Sequence, residues 1–193
     1  MNYFKKYVEP LGRGRTTVRL VSNELLLESD RPGMLVLAVR LLNITFGKNS
    51  SYIMEPMQEW GPGKWYLDME PDTPEFVIAR QGPPLTPPSE FAFEPPPYDP
   101  KDPGLERVSK LAVGVDGDLQ GIYAFHMSLD AISLISLAKQ FIYLSQPEVP
   151  VGEGMIYKPT FDHDPRVSRL RVVLTEFPQD VPWAKLPDQR GSS

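Results

Sequence analysis

Two histidines, His126 and His163, are the side chains of this sequence best suited to moving protons near neutral pH. Asp162 and Asp164 flank His163. Carboxylates in that position raise an imidazole's pKa and orient its ring, so Asp162-His163-Asp164 has the residue types of a metal site or an acid–base pair. The segment lies in a loop bounded by prolines, and no second ligand cluster accompanies it. Asp116-Gly117-Asp118 lacks the later acidic positions and closing Glu of an EF-hand loop, so it reads as a turn. Gly12-Arg13-Gly14-Arg15 follows no strand and has no Walker pattern. No Gly-x-Ser-x-Gly elbow occurs. Cysteine is absent, which removes disulfides, thiolate nucleophiles and sulfur-built zinc sites. No catalytic set assembles, and neither a metal nor a cofactor is expected. A hydrolase or phosphatase built on Asp162, His163 and Asp164 is the alternative reading.

His126-Met127-Ser128 resembles one half of the paired His-x-Ser/Thr motif of two-histidine phosphoesterases. That resemblance implies a second motif facing the first, and His163-Asp164-Pro165 does not match it. His126 is therefore expected to be structural. The stretch Gly117-Asp118-Leu119-Gln120-Gly121 resembles the Gly-Asp-Leu-x-Gly segment of a family of chemotaxis phosphatases, but that family's Glu/Asn pair finds no counterpart. Trp60, Trp65 and Trp183, with Tyr52 and Tyr66, have the composition of a stacking platform; in a β-rich protein such residues more often plug the ends of the core.

The most specific pattern is Pro95-Pro96-Pro97-Tyr98, the PPxY signature read by WW domains. A WW groove takes preformed polyproline at low entropic cost and anchors the tyrosine. The motif lies in a run of prolines over residues 82–104 that can be neither helix nor central strand. The chain resembles viral matrix proteins in this motif, in its basic head and in a hairpin that feeds an apolar helix (Tyr123 to Phe141). It departs from them in the central position of the motif and in its net charge of −5. The resemblance implies self-assembly and a WW-domain partner docked on Pro95, Pro96, Pro97 and Tyr98.

Charge is uneven. Lys5, Lys6, Arg13 and Arg15 make a basic head suited to phosphate, from nucleic acid or a membrane surface, whereas residues 50–110 are acidic. The head, residues 1–15, is expected to be an arm. Residues 16–182 are expected to form one globular domain with the proline-rich connection inside it, and 183–193 an extended tail. No secretory pattern follows Met1, and no apolar run reaches the roughly 20 residues of a membrane helix, so a soluble intracellular protein is expected.

These candidates need a scaffold. Thr16–Val21, Leu25–Glu28, Lys64–Met69, Glu75–Arg80, Lys110–Val115, Asp118–Phe125 and Arg166–Phe177 read as strands. The pairs at 64–80 and 110–125 read as hairpins, the second turning at Asp116-Gly117. Met34–Phe46 is apolar on both faces and reads as a central strand after a turn at Asp30-Arg31-Pro32-Gly33. Leu129–Leu144 reads as a helix capped by Ser128, with a narrow wet stripe through Asp130, Ser133 and Lys139 or Gln140. A helix that apolar is buried on most sides or lies in an oligomer interface. The sum is an α+β, mainly β fold: an antiparallel sheet or sandwich of seven to eight strands with one long apolar helix late in the chain. No internal repeat is evident. The expected function is structural or adaptor work through self-association, as a homo-oligomer, and partner docking.

Overall fold

The computed structural model describes residues 14–54, 67–70, 73–89, 91–102, 104–118, 121–160 and 164–177. It is α+β and mainly β. In chain order the elements are β1 (Gly14–Val21), β2 (Glu24–Ser29), α1 (Arg31–Phe46), β3 (Ser51–Met54), β4 (Leu67–Met69), β5 (Glu75–Gln81), β6 (Leu111–Asp118), β7 (Gly121–Asp130), α2 (Ala131–Leu144), β8 (Gly154–Tyr157) and β9 (Arg169–Leu174). A five-stranded sheet runs β4-β1-β2-β9-β8 and a four-stranded sheet β3-β5-β7-β6.

Two mixed sheets and two helices replace the expected antiparallel sheet or sandwich with one long helix. The segment read as a central strand is α1. A continuous apolar run has no period to separate the two states, but the helix it belongs to spans 16 residues, beyond a strand's usual length. What looked like a turn is a helix start. The Asp30 carboxylate accepts from Gly33 N at 2.8 Å and Arg15 N at 2.9 Å, and Pro32 sits in the first turn, where its missing N–H costs nothing. Gly33 is required there, because a Cβ would collide with Ser29 Oγ and crowd Arg15 O. The second helix is capped by Asp130, which accepts from Ser133 N at 2.8 Å, while Ser128 stays in β7.

Pairing also corrects the expected hairpins. β4 pairs in parallel with β1, and β5 pairs with β3 and β7, so β4 and β5 lie in different sheets. β6 and β7 do form a hairpin, but Asp116-Gly117 is a bulge inside β6, where the register shifts. The β1–β2 turn is Ser22-Asn23, both at positive φ. That is the hairpin geometry whose twist matches the strands.

The chain has an internal two-fold plan. Residues 14–81 form hairpin, helix, hairpin (β1β2, α1, β3β5), and residues 111–174 repeat it (β6β7, α2, β8β9). The second hairpins are exchanged. β9 lies parallel to β2, and β5 lies parallel to β7, so each sheet takes strands from both halves. β4, between β3 and β5, runs along β1. Its counterpart is the stretch after β8, where Thr160 N bonds Leu111 O and Asp164 N bonds Val113 O along β6. Burial repeats with the topology. Leu25, Leu27 and Ser29 match Phe125, Met127 and Leu129; Met34, Leu37, Ala38, Leu41 and Ile44 match Leu134, Leu137, Ala138, Phe141 and Leu144. One buried apolar cluster draws on both sheets and both helices. Each helix C-terminus is closed by an arginine from elsewhere. Arg80 donates to Ile44 O in the last turn of α1 and to Gly47 O, and Arg31 donates to Gln146 O and Val149 O just beyond α2, which places a cation at each helix C-terminus.

Among the described residues no helix is long and apolar enough to cross a membrane.

Candidate functional site

The outward face of the four-stranded sheet is built from small side chains. Strand alternation sends Val113, Met127 and Ile78 into the core and leaves Ala112, Gly114, Ser128, His126, Ala79 and Gln81 on the other side. Gly114 stands opposite His126, and Ala112 opposite Ser128. The small residues leave a shallow cavity of about 440 Å³ lined by Gln81, Ala112, Val113, Gly114, His126, Ser128 and Asp164.

His126 Nε2 meets Asp116 Oδ2 at 2.5 Å across the β6–β7 pair, both side chains being well exposed. That contact fixes the imidazole plane beside the cavity. On the rim, Asp164 takes the Arg166 guanidinium with both oxygens, at 2.7 to 3.1 Å, and accepts Arg166 N at 2.8 Å. The same guanidinium donates to Val115 O and Gly117 O at the β6 edge. The Arg166 hydrogen bonds outweigh partial burial and hold the Asp164 carboxyl down at about 2. It is therefore ionised at neutral pH and serves as a structural clamp on the edge strand. Asp162 and His163 lie outside the described residues. Among the described residues no group of three or more potential metal ligands forms.

The two-fold plan bears on the phosphoesterase resemblance. It places Leu26 where the second half has His126, and Glu28 where it has Ser128. The second half-motif is missing at the position that would have to supply it.

The proline-rich connection is a strap on the second helix. It runs antiparallel to α2, from Pro96 beside Gln146 to Lys110 beside Ser133. The residues that receive it are Ser133, Ser136, Gln140 and Tyr143, all at most 5% exposed. Their three-four-three spacing puts them on one side of the helix. Ser133 Oγ accepts Lys110 N at 3.0 Å, Ser136 Oγ meets Glu106 Oε2 at 3.4 Å, and Gln140 Nε2 donates to Glu106 O at 2.7 Å. Tyr143 OH accepts Asp99 N at 3.0 Å and donates to Asp99 O at 3.3 Å, while Gln146 Nε2 reaches Pro96 O at 3.2 Å. A proline-rich segment offers carbonyls and few N–H groups, and this stripe is rich in donors. The expected wet stripe at Ser133 and Gln140 is thus a dry seam. The signal was present as polar residues at helical spacing on an otherwise apolar helix.

Tyr98 of the PPxY segment lies half-buried in this seam. Its ring centroid is 6.3 Å from that of Tyr143, and its hydroxyl donates to Glu153 Oε2 at 3.0 Å. Desolvation first, then the Glu153 carboxylate, raise its pKa above the usual phenol value. Pro95 and Pro96 are half-buried and Pro97 is exposed. Of the basic head, Arg15 is 2% exposed within β1, so it is not the surface cation the sequence suggested. Lys5, Lys6 and Arg13 lie outside the described residues, as do Trp60, Trp65, Trp183 and Tyr66.

The chain matches no protein-family model, and it matches no curated protein and no solved structure.

Proposed function

We propose that this is a non-enzymatic docking protein that self-associates and recruits partners, with the outward face of the four-stranded sheet as its principal contact surface. The supporting observation is the floor of Ala112, Gly114 and Ser128. Glycine and alanine on an outward strand face let another backbone approach closely. The clamped Asp164 points the same way, because a carboxyl held near 2 by Arg166 is a poor proton acceptor at neutral pH. Most of the apolar surface of α2, which as a sequence argued for oligomers, is buried in the core, Ile132 excepted, and gives that step little support. Ile53 on β3 and the half-buried Val77 beside it extend the face with apolar surface. A second copy fits this face by charge, since it carries both signs, Asp116 and Glu75 against Arg166.

Sedimentation velocity across micromolar concentrations tests the proposal. A reversible dimer is expected, and Ala112→Arg is expected to shift it to monomer. A strict monomer for the unaltered chain overturns self-association.

One observation favours a second reading, a hydrolase or phosphatase. His126, oriented by Asp116, and Asp164 line a single cavity. A substrate and metal screen on the intact chain checks it. Activity lost in both His126→Ala and His163→Ala supports chemistry there, and activity indifferent to both sinks it.

A further inference from the structure

We infer that Pro95-Pro96-Pro97-Tyr98 is a latent recognition segment, held shut by an internal proline-binding groove on α2 and the turn before β8, and that its external occupant is a WW-type domain. The inference rests on the partner-docking reading and adds its regulation.

The groove uses the devices by which polyproline is recognised elsewhere. An aromatic ring, Tyr143, packs against Tyr98, and side-chain donors reach carbonyls that proline leaves unpaired. Gln146 holds Pro96 O, Tyr143 OH brackets Asp99 from both sides, and Glu153 takes the Tyr98 hydroxyl. A WW groove needs the same atoms. It must seat the tyrosine ring and pack the prolines before it, so both partners cannot hold the segment together. The bonds cluster at one end of the strap. Beyond Asp99 the next anchor on α2 is Glu106, held by Ser136, Lys139 and Gln140. The PPxY end can therefore lift while the anchor at Glu106 stays.

Apparent affinity for a partner falls by the fraction of chains in which the segment is free. Loosening the groove must tighten binding by the same factor. The variant Tyr143→Phe, Gln146→Ala, Glu153→Ala removes four side-chain bonds at the PPxY end and keeps the buried ring of residue 143.

The test is titration calorimetry with a WW domain that takes PPxY peptides, against the intact chain, the triple variant and a free peptide of residues 92–102. The peptide and the triple variant are expected to bind at least tenfold tighter than the unaltered chain, and Tyr98→Ala in the triple background is expected to abolish binding. Equal affinity of intact chain and peptide overturns the sequestration while leaving the ligand reading in place. Absence of binding by the peptide overturns the ligand reading itself. Comparing intact chain with peptide decides the matter even if the triple variant does not fold.

Discussion

At the scale of single residues, one charged pair beside the four-stranded sheet is committed to holding structure. Asp164 shows how. Its partner Arg166 spans the carboxylate and two β6 carbonyls, so the pair ties the stretch after β8 to an edge strand. A carboxyl lowered from 3.8 to about 2 gives stability that is present above the unfolded value and is lost as pH falls through the folded one. Acid unfolding of the intact chain is expected to draw on this group between about pH 4 and pH 2. In Asp164→Asn that part of the acid limb is expected to flatten, as measured by urea midpoints across the range. An unchanged slope would show that the clamp is not coupled to folding. The residues Asp162-His163-Asp164 were legible as a cluster, but a one-dimensional reading could not see that the last of them is already committed to Arg166.

At the scale of elements, the seam between strap and α2 explains why a helix can be apolar almost all round in a single chain. Gln140 is the central case. It is 5% exposed, donates to Glu106 O at 2.7 Å and accepts from the Tyr157 hydroxyl. Burial drives the Tyr157 pKa well upward, so that phenol stays neutral and needs its acceptor. Gln140→Ala is expected to leave the buried Tyr157 hydroxyl with only the weak acceptor Met155 Sδ and to cost about 1–3 kcal/mol. Chemical denaturation measures it, and a loss below about 0.5 kcal/mol, half of one ordinary hydrogen bond, would mean that the seam is wet. The strands with alternation or turn chemistry were readable. Val18, Leu25 and Leu27, Phe76 and Ile78, and Leu170, Val172 and Leu174 all face inward as the period of two requires. The short β3 and β8 were not readable, because a four-residue strand carries too little pattern. α1 was misread because Asp30, Pro32 and Gly33 serve a turn and a helix start equally well, and the apolar run behind them is non-committal. The seam residues were misassigned because nothing in Ser133 or Gln140 says whether a polar stripe meets water or a strap.

At the scale of the whole molecule, the exchanged hairpins make the two halves interdependent. The five-stranded sheet needs β8 and β9 from the second half, and the four-stranded sheet needs β3 and β5 from the first. Neither half can close a sheet alone, so each should expose apolar strand edges when isolated. Fragments 1–88 and 89–193, cut where the strap is exposed, are expected to be unfolded singly and to regain native circular dichroism when co-refolded at equal concentration. A folded isolated fragment would count against this dependence. The repeat escaped sequence reading because it is kept mostly in burial and little in identity: Met34 answers Leu134 and Leu41 answers Phe141, while only the caps Asp30 and Asp130 and the Leu-Ala pairs at 37–38 and 137–138 are literal across these cap and core positions. Core positions ask for volume and apolarity rather than a particular side chain. The pairings that join the halves do not care whether a peptide bond runs between them. A homodimer of one such half, about half the present length, would close both sheets by the same parallel contacts of β2 with β9 and β5 with β7. The strap then reads as a seam of fusion, where duplication of a small dimer-forming unit would leave a length of chain with no place in either sheet, free to take on work of its own.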